Sequence, residues 1–157
     1  MSDRYGTVVR RLGHQPWFAW LGRQAVPLDR AIQRRTGGRL TVIGRAGLPE
    51  MLLTTIGRKT GAERTVPLLY ARDGERYIVI ASNWGQPNHP AWSGNLRANP
   101  DATVTIAGRS TPVRAEQLTP TERERVWPAV VRVWPAYDTY AERAGRELRV
   151  FALTTRD

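Results

Sequence analysis

The feature that most constrains this chain is a succession of short, β-branched runs, each bounded by Gly, Asp or Pro, that begins after Gly38. Residues 40–43, 51–56, 65–71, 77–81 and 102–106 have the length of strands and carry the residues that suit a pleated, half-buried surface. Residues 112–118 and 148–153 repeat the pattern further on. Arg72-Asp73-Gly74-Glu75 holds the Asp-Gly pair of a tight hairpin, and Gly57 to Gly61 makes a longer turn. Helical signals are few. His89-Pro90 opens a helix through Ala98, which Asn99-Pro100 closes. Thr119-Pro120-Thr121-Glu122 supplies an N-cap, a proline at the first position and an acid in the first turn of a helix to about Val133. Residues 137–144 form one more helical segment. Six or seven antiparallel strands with a few helices predict a mainly β fold, a small barrel with helices packed outside it.

The first quarter of the chain is different. Within residues 1–39 eight arginines face only Asp3 and Asp29, so over half of the net charge of +10 lies there. Trp17-Phe18-Ala19-Trp20-Leu21 is aromatic, and Leu28, Ala31, Ile32 and Arg35 fall at helical spacing before Gly37-Gly38. This predicts two short helices, with residues 1–26 as a basic aromatic extension and 27–157 as the domain proper. Peripheral contact with an anionic membrane and packing on the barrel both suit such an extension. No apolar run is long enough to span a bilayer, and the first residues lack the apolar core of a secretory signal, so a cytoplasmic location is expected.

Composition narrows the chemistry. There is no cysteine and there are two histidines, which leaves no thiolate chemistry and no metal site of the usual kind. Redox chemistry in this chain therefore needs an organic cofactor. The charge also invites a nucleic-acid partner, but no basic–aromatic alternation runs along the strands, so no specific nucleic acid is expected.

Three motifs stand out. Gly57-Arg58-Lys59-Thr60-Gly61-Ala62-Glu63-Arg64 joins two strands and contains the one lysine among 24 Lys+Arg. Its glycines let backbone N–H groups converge and its cations suit a phosphate or carboxylate, although a solvated hairpin tip reads the same way. Ile80-Ala81-Ser82-Asn83-Trp84-Gly85 runs from a strand into a polar loop, suited to a heterocycle or to nothing beyond capping. Trp134, Tyr137 and Tyr140 recur every three residues along one helical stripe, which means core packing or the wall of a pocket for a flat ligand.

Taken together, these residues resemble the deazaflavin-dependent nitroreductase and quinone reductase family. The resemblance rests on Leu53-Thr54-Thr55-Ile56-Gly57-Arg58-Lys59-Thr60-Gly61 with Arg64 and Pro67. Ile80-Ala81-Ser82, Asn88-His89-Pro90-Ala91-Trp92, Asn95-Leu96 and Asn99-Pro100 then follow in the family's order. It implies a split β-barrel of the flavin-reductase (FMN-binding) type that binds coenzyme F420, with FMN as the alternative cofactor. By residue match, Arg58, Lys59 and Arg64, with Thr60 and Gly61 between them, hold the cofactor's phosphate. Pro67, Ala81 and Ser82 border the ring. Trp134, Tyr137 and Tyr140 bind the hydride acceptor, a quinone, enone or nitroaromatic. Ser82 and the two tyrosines are the expected catalytic groups. Trp134 stands where the family's well-known members carry tyrosine, so acceptor choice transfers least.

Overall fold

The structure, a computed structural model, describes residues 48–156 together with residues 7, 8, 10–18, 20, 21, 24 and 31. The strand expected at 40–43 lies outside them, as does the helix expected before Gly37 apart from Ala31.

Seven strands form one sheet: β1 (Glu50–Ile56), β2 (Glu63–Leu69), β3 (Ala71–Asp73), β4 (Arg76–Ile80), β5 (Asp101–Ile106), β6 (Arg109–Gln117) and β7 (Val150–Thr155). Their spatial order is β2-β1-β5-β6-β7-β4-β3, with every pairing antiparallel. β2, at one end of that order, also touches β4 near the other end, so the sheet curls into a half-barrel. This is the split β-barrel expected. Three helices, α1 (Ala91–Ala98), α2 (Pro120–Val133) and α3 (Ala136–Ala144), flank it.

The strand pattern follows from what each face covers. β1 alternates, with Met51, Leu53 and Thr55 buried between half-buried neighbours. β4 and β7 are buried on both faces, which explains their unbroken apolar runs. Val79, Phe151 and Leu153 face the core under α1 with Trp92 and Leu96, whereas Ile78, Ile80, Val150 and Ala152 face α2 and α3.

One expected strand is corrected. Residues 65–71 do not form a single strand: β2 ends at Leu69 opposite Glu50, and the Tyr70 N–H donates to the Pro49 carbonyl at 3.1 Å. The chain then crosses to β3 at the far side of the sheet. Pro67 is tolerated within β2 because an edge strand can spare one ladder donor.

The Asp-Gly hairpin between β3 and β4 is present, and the Asp73 carboxylate ion-pairs with Arg76 and with Arg125 of α2. Hydrogen bonds from Arg125 first and Arg76 second hold its carboxyl well below the usual carboxylate range. α2 starts as expected, with the Glu122 N–H donating to Thr119 Oγ1 at 3.4 Å and Pro120 at its first position.

Part of the N-terminal extension packs on the barrel's outer helix. The Tyr140 hydroxyl donates to the Gly13 carbonyl at 3.0 Å, and Arg143 Nη2 donates to the His14 carbonyl at 2.8 Å. His14 Nδ1 and Thr139 Oγ1 lie 2.6 Å apart, and the Phe18 and Trp134 rings are 6.3 Å apart. Val8, Trp17, Trp20 and Leu21 stay 52%, 51%, 52% and 48% exposed. No helix among the described residues is long and apolar enough to cross a membrane.

Candidate functional site

The turn between β1 and β2 is closed by its own backbone. The Gly57 N–H donates to the Ala62 carbonyl and the Gly61 N–H to the Gly57 carbonyl, both at 2.7 Å. Gly61 sits at φ +72°, a left-handed conformation that a side chain would strain. The Ala62 N–H donates to Thr60 Oγ1 at 3.2 Å, and the Arg58 N–H to Asn95 Oδ1 at 3.1 Å. Four of the turn's donors are therefore used within the protein. Lys59 and Arg64 are exposed and make no ion pair among the described residues. The Thr60 hydroxyl, which accepts from Ala62, keeps its own hydrogen to donate.

Arg58 behaves differently from its neighbour. Its Nη1 donates to the Ala91 carbonyl at 3.1 Å and to Asn95 Oδ1 at 3.2 Å, so the side chain lies along α1. Gly94 permits that approach, since a methyl group there would come within 2.8 Å of Arg58 Nη1. Asn95 in turn donates to the Thr55 hydroxyl at 3.1 Å in the interior. The triad Arg58–Asn95–Thr55 fixes the turn to both β1 and α1. Asn95 has a place in the sequence motif but no spacing signal links it to Arg58.

Beyond β4 the chain enters the second motif. Ala81 is buried, and its N–H donates to the Arg149 carbonyl at 2.8 Å. Ser82 is half-buried, and its hydroxyl makes no hydrogen bond among the described residues. Asn83, Trp84 and Gly85 follow at φ 46°, 58° and 78°. Two consecutive non-glycine residues in the left-handed region store strain of about 1–3 kcal/mol each, which the surroundings must hold.

Much of that restraint comes from Arg146, which sequence reasoning missed. Its Nε donates to the Gln86 carbonyl at 3.2 Å and Nη1 to the Ala81 carbonyl at 3.3 Å. Nη2 reaches the Ser82 carbonyl at 3.3 Å and the Asn88 carbonyl at 3.0 Å. Nothing in the sequence separates Arg146 from the many other arginines.

The aromatic segment is not one helical stripe. Trp134 caps the end of α2, while Tyr137 and Tyr140 lie on α3 beyond Pro135. All three rings are buried. The Tyr140 hydroxyl donates to the Gly13 carbonyl, so that polar tip is engaged. The Tyr137 hydroxyl has no hydrogen bond among the described residues, and burial pushes its pKa up. α3 packs on the strained turn after Ser82, with the Trp84 and Tyr140 rings 6.4 Å apart. The second and third motifs thus adjoin. Pro67, on β2, belongs to the strand that meets β4 across the curl of the sheet.

A half-barrel with two unpaired cations on a glycine turn and a strained, hydroxyl-bearing loop has the form of a split-barrel cofactor-dependent enzyme. The family described as F420H(2)-dependent quinone reductase matches residues 23–155. The chain is 35% identical over 144 residues to the F420H(2)-dependent quinone reductase of Mycobacterium tuberculosis (strain ATCC 25618 / H37Rv), covering 87% of this chain and 93% of that one. Among solved structures, an F420-H2 dependent reductase is 36% identical with a TM-score of 0.62, covering 67% of this chain and 93% of that chain. A second structure, described as a domain-swapped dimer, is 32% identical with a TM-score of 0.65, covering 85% of this chain and 96% of that chain. The chain belongs to the F420H(2)-dependent quinone reductase family. It is therefore an oxidoreductase, and its cofactor is coenzyme F420. The FMN alternative gains no support from these matches. The residues present fit the group, since Lys59 and Arg64 are exposed cations that make no ion pair among the described residues.

Proposed function

We propose that this chain passes a hydride from reduced F420 to a quinone in the cytoplasm, with enones and nitroaromatics as further acceptors. The observation that carries this reading is the pair of exposed, unpaired cations Lys59 and Arg64 on the glycine turn of a chain from an F420-using family. When bound, F420 supplies the hydride chemistry, which no side chain here provides.

The chain's own residues bind and orient. Lys59 and Arg64 close on the phosphate from opposite arms of the turn, and the Thr60 hydroxyl donates between them. Arg58 braces that turn through α1, and Gly61 gives it its shape. Pro67 and Ala81 border the ring from the two strands that meet across the curl. The free Ser82 hydroxyl positions the ring and steadies the oxyanion that forms on the acceptor. Tyr137 is the second donor, its hydroxyl neutral at physiological pH like any tyrosine's and held further from ionisation by burial. Trp134 and Tyr140 support Tyr137 and shape the acceptor side. The final proton comes from solvent, because the described residues offer no placed general base.

The test is the oxidation of reduced F420 by purified protein with a quinone, an enone and a nitroaromatic, followed by the return of the cofactor's absorbance. Turnover with the quinone is expected, and Ser82→Ala should lower kcat while leaving F420 affinity nearly intact. Absence of turnover with every acceptor would overturn the reading.

The exposed Val8, Trp17, Trp20 and Leu21, next to Arg10 and Arg11, support a peripheral membrane contact for the extension. Replacing Trp17 and Trp20 by serine leaves the contacts of Gly13 and His14 with α3 and of Phe18 with Trp134 in place. It should reduce cosedimentation with anionic vesicles; equal binding would remove this part of the proposal.

A further inference from the structure

A cavity of about 230 Å³ opens away from the residues of the glycine turn. It is lined by Arg123, Arg146, Arg149 and His89, with Gln117 and Glu147 at its wall and Leu118, Leu148 and Val150 as its apolar floor. No residue of the turn at 57–64 contributes to it.

Its arginines are cationic without compensation. None of the three makes an ion pair among the described residues, and Glu147, the single acid of the lining, is paired with none of them. Arg146 uses its fork on backbone carbonyls and lies 3.1 Å from His89 Nδ1. Among the described residues, Arg123 uses only Nε, on the Leu148 carbonyl at 3.2 Å, and Arg149 only Nη1, on the Ser93 hydroxyl at 3.3 Å. A guanidinium has five N–H donors, so both keep most of their fork free. Arg123 is also held in place over the Trp127 ring, 4.5 Å from its centroid. Like charges feel one another here. Burial first, and then Arg149, Arg146 and Arg97, push the His89 pKa down; burial and Arg97 do the same to Arg149. Concave walls concentrate such a field. Guanidinium forks are the side chains that take carboxylate and phosphate oxygens two at a time.

We propose that the cavity between Arg123, Arg149 and His89 is a second anion site, separate from the glycine turn, that binds a small multivalent oxyanion. Arg123 and Arg149 grip it from α2 and from just before β7, and His89, whose Nδ1 accepts from Arg146, offers its Nε2–H as a third donor. Through Arg146, which holds the Ala81 and Ser82 carbonyls, the site backs directly onto the strained loop.

The experiment is calorimetric titration of the full chain with pyrophosphate and, in a parallel arm, with citrate, which separates phosphate from carboxylate preference. One saturable site that persists in Lys59→Ala and in F420-saturated protein is expected for at least one of them. Arg149→Gln and Arg123→Gln should each weaken it by about tenfold or more, the loss of one charge-assisted contact. Arg109→Gln, which removes an equal charge from an exposed hairpin, and Lys59→Ala should leave it unchanged. Protein saturated with F420 should still bind the anion, and this outcome is independent of whether F420 turnover is seen. A reading that needs no variant is the His89 titration by NMR. Bound pyrophosphate should raise its pKa against the charges of Arg97, Arg146 and Arg149, with Glu147 the one neighbouring acid. No saturable binding, equal weakening by Arg109→Gln, loss on Lys59→Ala, or displacement by F420 would each overturn the proposal.

Discussion

At the turn of residues 57–64, Lys59 and Arg64 are exposed and make no ion pair among the described residues, whereas along residues 134–140 every aromatic residue is at most 7% exposed. The turn's shape is set by Gly57, Gly61 and the Arg58–Asn95–Thr55 triad, so its two free cations contribute almost nothing to folding. The aromatic segment divides its work otherwise. Trp134 and Tyr140 hold α2, α3 and residues 13–18 together, and only the Tyr137 hydroxyl remains unengaged among the described residues. Residues free of structural duty can be substituted to test a ligand role alone. Residues with a double duty cannot be removed without disturbing both roles.

The sharpest way to break this contrast is Tyr140→Ala. Deleting a buried ring costs about 3–5 kcal/mol, so a large fall in Tm is expected. Unchanged stability would mean that the segment is not core. Asn95→Ala strikes the base of the turn instead. It leaves the buried Thr55 hydroxyl and the Arg58 N–H without their partner, at about 1–3 kcal/mol. Weaker F420 binding should accompany that loss, and intact binding would show that the turn keeps its shape unaided.

Smaller changes sharpen the comparison. Tyr140→Phe removes only the hydrogen bond to Gly13 and should cost about 0.5–1.5 kcal/mol in chemical denaturation. Tyr137→Phe has no such bond to lose among the described residues. It should leave Tm nearly unchanged and lower kcat if its hydroxyl serves the acceptor; unchanged kcat would return Tyr137 to the core.

The smallest effect concerns Asp73. Its carboxyl is depressed in the folded chain, so its stabilisation is fully present above the unfolded value of about 3.9 and is lost as pH falls below it. The Arg125 side chain is 55% exposed and that of Arg76 25%, and solvent screening limits the effect to under about 1 kcal/mol. Asp73→Asn should flatten the stability profile below that pH and change little near neutrality. An equally steep acid limb in the variant would assign it to other carboxylates.

Much of the fold is legible in the residues. Asp73-Gly74 marks its hairpin and Thr119-Pro120 its helix start because local chemistry alone decides them. The turn between β5 and β6 is less legible. Gly108 signals it, but its partner Ala107 adopts φ 51°, which alanine rarely does, and the start of β6 at Arg109 is missed for that reason. The break at Tyr70 is likewise invisible, since it depends on where the far edge of the sheet lies. At the site, Lys59 and Arg64 are readable from the glycine turn. The inward set of Arg58 against Gly94 is not, because it arises from a helix 33 residues further along. The three-residue spacing of Trp134, Tyr137 and Tyr140 suggests one stripe, and Pro135 divides it. Arg146 could not be found at all, as its partners are backbone carbonyls.

The central claim is that Lys59 and Arg64 hold F420 without holding the fold. Calorimetric titration of F420 into wild type, Lys59→Ala and Arg64→Ala, with a thermal melt of each, tests it most directly. A charge-assisted contact contributes about 1.5–3 kcal/mol, so each variant should bind F420 roughly ten- to a hundredfold more weakly. Arg64→Lys should recover part of that loss, since an ammonium cannot make a guanidinium's two-pronged contact. All three melts should agree with wild type within a few degrees. Unchanged F420 affinity in both alanine variants would contradict the account.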